Sequence, residues 1–182
     1  MEEDKLLVAD FEFSCWRGRP PKGMRIEIIE MGFCLVDFKK DIVEPAKSYL
    51  IKPSEFSEIS PFFSQITGIS REEIYDSGIS FSEAMSKVSN EFDLTNIPWS
   101  TWGIIDKRRL EIDCSVNAIK YPMSPRYINV QKAHRNWMNV KRDFSLNNAL
   151  ETLDLSFIGS PHRAGSDAYN TGRLVLNMSK KS

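Results

Sequence analysis

Three short segments hold residues whose types and spacing could do chemistry. The first is Asp10-Phe11-Glu12, directly after the apolar run 6–9. In a strand, residues two apart share a face, so Asp10 and Glu12 would stand together while Phe11 points the other way. Two adjacent carboxylates repel, and one would be protonated unless a cation neutralises the pair. Hard divalent ions such as Mg²⁺ or Mn²⁺ prefer such oxygen ligands. A lone pair of this kind also fits a strand end whose acids are merely solvated. The preceding apolar run argues instead for a buried strand with acids at its carboxyl end, where open α/β sheets place their sites. The second segment is Trp102-Gly103-Ile104-Ile105-Asp106, and the third runs from His162 to Asp167. Taken alone, Asp167 also reads as a helix cap and His162, beside Pro161, as a surface residue.

The elements that must position these residues follow from hydrophobic pattern and caps. Residues 6–13 read as a strand, 17–24 as a loop with two prolines and two glycines, and 26–38 as a second strand. Residues 48–52, 98–103 and 127–130 are shorter strand candidates. Ser70 with Glu73 forms a capping-box pattern at a helix start. Residues 80–92 place Phe81, Ala84, Met85, Val88 and Phe92 on one helical face. A helix is expected from Ile105, another after Ser145 with Leu146, Ala149, Leu150 and Leu153 inward, and a last one over 167–178. Strands first, then helices and strands alternating, predict one α/β domain over 1–182, with a mixed five-stranded sheet flanked by helices.

Composition agrees with an ordinary globular chain: 182 residues, 41% hydrophobic and 27% charged. No stretch approaches the ~20 apolar residues that span a bilayer, so no membrane partner is expected. The acidic start and its short apolar run do not suit a signal peptide. Cys15, Cys34 and Cys114, odd in number and without CxxC spacing, suit reduced thiols in a cytoplasmic setting and read as small buried apolar residues rather than zinc ligands. The net charge of −1 does not advertise a nucleic-acid binder. Its distribution says more: Arg17, Arg19, Lys22 and Arg25 follow the acidic strand with no acid among them. An acidic pit beside a basic rim suits an enzyme that holds cations and then phosphates.

The order of the three segments resembles the DEDDh family of 3′→5′ exonucleases, over nearly the whole chain. Val8-Ala9-Asp10-Phe11-Glu12-Phe13-Ser14-Cys15-Trp16 is similar to the family's first motif, and Glu27-Ile28-Ile29-Glu30-Met31-Gly32 to its second strand. Tyr49-Leu50-Ile51-Lys52-Pro53 and Gln65-Ile66-Thr67-Gly68-Ile69 resemble the segments where members carry K-P and then L-T-G-I. The nearest subgroup is the Eri-type, which includes the histone-mRNA 3′ exonuclease and the sporulation-inhibitor-like proteins. The resemblance implies an RNase H-like exonuclease fold and two divalent metal ions, Mg²⁺ or Mn²⁺. It implies that Asp10 bridges both ions, Glu12 and Asp167 complete the first, and Asp106 holds the second through water. His162 is then the general base, and the products are nucleoside 5′-monophosphates. A histidine of ordinary pKa suits that role near neutral pH. This chain departs from the pattern at Phe13, where a small alanine is usual, at Ile104 and Ile105, and at Gly165-Ser166 in place of a leucine–aspartate pair.

The expected partner is the 3′ end of a single-stranded nucleic acid, RNA favoured over DNA; a homo-oligomer is left open. Such ends are held by aromatic stacking and a basic rail. The candidates are Phe11, Phe13, Trp16, Arg17, Trp102 and His162, with Lys107-Arg108-Arg109 as a second basic patch. Core packing explains the tryptophans equally well, and His134 reads as structural or surface. A DNA-directed exonuclease and a non-catalytic binding module are the alternatives. The presence of all four acids and the histidine weighs against the second.

Overall fold

Side-chain alternation decides how the first two strands are used. In the computed structural model, which describes residues 4–55 and 57–181, β1 (Lys5–Phe13) and β2 (Ile28–Asp37) pair antiparallel. Leu7, Ala9 and Phe11 join Met31, Phe33 and Leu35 in one core, while Leu6 and Val8 join Cys34 and Val36 in another. Asp10 and Glu12 continue the second face by the strand's period of two. Every residue of β2 is buried, which makes it the inner wall of both layers.

The other strands are short: β3 (Ile42–Val43), β4 (Lys47–Leu50), β5 (Trp99–Thr101) and β6 (Tyr127–Asn129). They order as β3-β2-β1-β5-β6, with β4 also on β2. The β2 pairings are antiparallel, whereas β5 runs parallel to β1 and β6 parallel to β5. The mixed sheet is therefore as expected but has six strands among the described residues, not five. The extra one, β3, is two residues long and carries no readable period. Because β1 and β5 are parallel neighbours, their carboxyl ends emerge at the same edge.

Helices cover both faces. In chain order they are α1 (Pro61–Thr67), α2 (Arg71–Ser77), α3 (Phe81–Glu91), α4 (Ile104–Val116), α5 (Val130–Trp137), α6 (Leu146–Glu151) and α7 (Ala164–Lys180). Phe81, Ala84, Met85 and Val88 of α3 and Leu110 and Cys114 of α4 pack on the Phe11 face. Val130, Ala149, Leu150, Ala168 and Leu174 pack on the Leu6–Val8 face. Ile59, Phe63, Ile69 and Ile74 form a third cluster around Ile29.

Five helices start on a side-chain cap: the hydroxyls of Ser60, Ser70, Ser80 and Ser145 and the amide oxygen of Asn129 each accept a backbone N–H in the first turn. Asn129 both ends β6 and opens α5, so the strand expected over 127–130 stops one residue early. The cap at Ser70 is half of the expected box: its hydroxyl takes the Glu73 N–H, while the Glu73 carboxylate lies 3.6 Å from Arg163. Among the described residues no helix is long and apolar enough to cross a membrane.

Candidate active site

The site is assembled where α7 meets the sheet. Asp10 lies opposite Gly32 in the β1–β2 ladder. A Cβ at position 32 would stand 2.1 Å from the carbonyl carbon of Ala164, so only glycine admits the first turn of α7 beside Asp10. Gly165 runs equally close to Ser48, where a Cβ would meet Oγ at 2.2 Å. These contacts bring Asp167 of α7 over the end of β1. Asp167 Oδ2 accepts the backbone N–H of His162 at 2.9 Å, closing the turn that precedes the helix. His162 takes the left-handed conformation there, with φ of 60°.

From the other side, the chain leaves β5 through Trp102 and Gly103 into α4, whose first turn carries Asp106. Asp106 is buried, and its Oδ1 accepts the Phe11 N–H at 3.3 Å. That bond fixes the α4 carboxylate to the β1 residue between Asp10 and Glu12. Ligand atoms of Glu12, His162 and Asp167 all lie within 4.8 Å of one another.

The electrostatics follow from so many acids in one place. Asp10 retains some exposure to the cleft, yet desolvation raises its carboxyl well above the usual range, reinforced by Asp106, Asp167, Glu12 and Glu30. Glu12 is pushed up to about 8 by desolvation and then by Asp167, Glu30 and Asp106, with Arg163 opposing. Asp167 is raised to about 7 by desolvation, against the His162 N–H, and Asp106 to about 6, against its backbone hydrogen bonds. A divalent cation relieves this repulsion, and the carboxylate set with one imidazole is the donor chemistry it takes. The residues therefore fit a divalent metal centre.

The four acids and His162 all line one cleft of about 580 Å³. Phe13 and Trp102 line it as expected, and Ile105, Gln131, Ser145, Leu146 and Asn147 form the facing wall. Phe11 also borders the cleft, but its ring packs edge-on against Phe33 in the core, 5.7 Å between centroids. Its contribution is the N–H held by Asp106, not a stacking surface. Trp16 and Arg17 do not line this cleft. They border a separate shallow depression with Phe62 and Gln65, where Arg17 lies over the Phe62 ring at 5.6 Å. The second basic patch is largely engaged elsewhere: Lys107 bonds Glu111 at 2.7 Å, and Arg109 donates to the Ile26 carbonyl at 2.8 Å. His134 is fully buried among Trp102, Trp137 and Phe144, with Nε2 3.0 Å from the Thr152 hydroxyl, so its structural reading holds.

Sequence reasoning assigned no role to Glu30 and Arg163. Glu30, opposite Glu12 in the ladder and 1% exposed, takes Arg163 Nε and Nη2 at 3.1–3.3 Å and the Ala164 N–H at 2.9 Å. The signal lies in the sequence: Glu30 stands between Ile28-Ile29 and Met31 in a strand read as buried, and a charge there requires a partner.

A sequence profile of the exonuclease family matches residues 7–175, a span that takes in nearly all of the sheet, the cleft and all five of its candidate residues. The chain belongs to that family. It is 29% identical over 184 residues to human 3'-5' exoribonuclease 1, covering 96% of this chain and 52% of that protein. It is 26% identical over 175 residues to the probable 3'-5' exonuclease KapD of Bacillus subtilis (strain 168), covering 96% and 84%. The chain thus spans about half the length of the mammalian relatives it matches. Among solved structures, the nuclease domain of 3'hExo, a DEDDh family member bound to rAMP, superposes with a TM-score of 0.89 at 26% identity, covering 100% of this chain and 94% of that one. The expected DEDDh class and RNase H-like fold are borne out.

Proposed function

We propose that this chain removes nucleotides from the 3′ end of single-stranded RNA or short 3′ overhangs, releasing nucleoside 5′-monophosphates. The observation that carries the reading is the convergence of Glu12, Asp167 and His162 ligand atoms within 4.8 Å, in the cleft that also holds Asp10 and Asp106. Asp10, Glu12, Asp106 and Asp167 would hold two divalent ions, Mg²⁺ or Mn²⁺. Such a pair supplies charge stabilisation for both the attacking and the leaving oxygen of an in-line displacement. His162, exposed at the cleft mouth, takes the proton of the attacking water. Phe13 and Trp102 contact the terminal nucleotide; Trp16 and Arg17, outside the cleft, contact nucleotides further upstream. RNA is favoured because several relatives, the human one among them, are named exoribonucleases and a related 3′-exonuclease, 26% identical, is described in recognition of a histone mRNA stem-loop. The three free cysteines fit a cytoplasmic setting.

The test is digestion of 5′-labelled RNA and DNA of one sequence with Mg²⁺, Mn²⁺ or EDTA, beside His162→Ala. A metal-dependent ladder shortening from the 3′ end, faster on RNA and lost in the variant, is expected. Preference for DNA would transfer the assignment to a DNA exonuclease. No shortening of either polymer by folded protein would leave a binding module.

A further inference from the structure

The imidazole of His162 has no hydrogen-bonding side-chain partner among the described residues, so its position is set by its backbone. That backbone is held in the left-handed region, φ 60°, which is unfavourable for a non-glycine residue and persists only when its surroundings impose it. The imposing contacts are on both sides. Before the turn closes, Asp167 holds the His162 N–H at 2.9 Å. After it, Arg163 and Ala164 are both tied to one carboxylate: Glu30 Oε1 and Oε2 receive Arg163 Nε at 3.3 Å, Oε1 receives Nη2 at 3.1 Å, and Oε2 receives the Ala164 N–H at 2.9 Å. Arg163 Nη2 also lies 3.6 Å from Glu73, in the first turn of α2.

Glu30 has two features that make it an anchor rather than a rim contact. It sits in the sheet, 1% exposed, in register with Glu12. It also supplies the cap that α7 otherwise lacks, since Arg163 at the N-cap position offers no capping side-chain bond of its own. An ionised carboxylate buried this deeply needs a charged, geometrically matched partner, and the planar guanidinium provides one through two nitrogens.

We infer that Arg163 and Glu30 are a positioning pair that fixes His162 against the carboxylate centre, with Glu73 extending the clamp to α2. Neither touches the reacting atoms. Arg163 is committed to Glu30 and is therefore not a phosphate ligand. The inference rests on the proposed role of His162 as general base.

The experiment compares wild type, Arg163→Gln, Arg163→Lys, Glu30→Gln and His162→Ala in kcat and KM on labelled RNA with Mn²⁺, in Tm, and by NMR of the imidazole rings. The chain has two histidines, so the His162 signals are assigned by their loss in His162→Ala. In wild type, trace Mn²⁺ should broaden the His162 ring signals together with the Phe11 amide. In Arg163→Gln the Phe11 amide should still broaden while the His162 ring is spared. With that, kcat should fall on the order of 10²-fold, as for a displaced reacting group. KM should change less than about threefold, because substrate contacts are intact. Arg163→Lys, which keeps charge but not the fork, should fall between the two, and Glu30→Gln should follow Arg163→Gln. Wild-type kcat and unchanged ring broadening in folded Arg163→Gln would overturn the clamp, as would a loss of Tm alone. Full activity in His162→Ala would instead overturn the base assignment, while the NMR comparison would still report whether the pair positions the ring.

Discussion

Glu12 and Glu30 face each other across the β1–β2 ladder, and the two carboxylates are used in opposite ways. Glu30 is neutralised from within by Arg163 and the Ala164 N–H, whereas Glu12 belongs to the group open to the cleft. One pair of register partners thus supplies both a fixed support and a position for a cation.

The surplus of acid in the cleft should make the metal-free protein less stable as pH rises. The folded-state values are raised to about 6 for Asp106, about 7 for Asp167 and about 8 for Glu12. Carboxylates in the unfolded chain titrate near 4, so between these limits the folded state binds more protons. Stability is therefore greatest below about pH 4 as far as these groups are concerned, and is lost as pH rises through about 8. Thermal melts across this range should show Tm falling in EDTA and the fall largely reversed by Mn²⁺. A Tm that climbs with pH in EDTA would mean the acids are not crowded in solution.

Asp10→Asn should separate stability from function. Removing one charge from the most crowded position relieves repulsion in the metal-free protein and should raise its Tm at pH 8. Hydrolysis should be lost together with the Mn²⁺-dependent rise in Tm. The check is a melt with and without Mn²⁺ beside the digestion assay; retained activity would remove Asp10 from the centre.

Gly32→Ala tests the close approach of α7. The added Cβ would meet backbone atoms of Ala164 and Gly165 at 2.1–2.3 Å, and backbone cannot rotate away. Overpacking of this kind costs about 1–3 kcal/mol. Displacing Asp167 and His162 by about 1 Å would reduce kcat on the order of 10²-fold. Gly18→Ala, with nothing within 4 Å of the new Cβ, is the control and should change neither Tm nor kcat measurably.

Trp16 and Arg17 should matter only for longer substrates. Trp16 lies four residues beyond Glu12, so its backbone is at most about 14 Å away, but it lines a different depression. Stacking is worth about 1–3 kcal/mol per base, so Trp16→Ala should raise KM for a decamer about tenfold. KM for a dinucleotide should be unchanged; an equal rise for both would bring Trp16 into the terminal-nucleotide site.

Much of this arrangement is legible in the chain because its strongest signals are local. The alternation in β1 gives both the strand and the shared face of Asp10 and Glu12, and serine caps mark α2, α3 and α6. α1 escaped notice although Ser60 and Pro61 are a standard opening, because only seven residues follow before Gly68 turns left-handed. α5 was hidden behind the strand-like run that ends at Asn129. The roles of Glu30 and Arg163, 133 residues apart, depend on a pairing register and a helix approach that no local pattern encodes. The separation of Trp16 from the cleft is equally non-local: Trp16 Nε1 turns to Glu58 at 3.2 Å, and the Cys15 carbonyl is held by the Ser60 hydroxyl.

The missing side chains at Gly32 and Gly165 give the cleft one immovable jaw. At Gly32 backbone is pressed on the backbone of Ala164 and Gly165, and at Gly165 on the Ser48 hydroxyl, so substitution at Gly32 cannot reshape the α7 side without displacing Asp167 and His162. The rest of the lining, Trp102, Gln131 and the short segment Ser145-Leu146-Asn147, presents side chains, of which Ser145 caps α6 and Gln131 holds the Phe144 carbonyl, leaving Trp102, Leu146 and Asn147 the more exchangeable. Divergence in which terminal nucleotide is accepted is therefore confined to those side chains and to Phe13, and a designer seeking altered selectivity would vary those positions while leaving the glycines untouched.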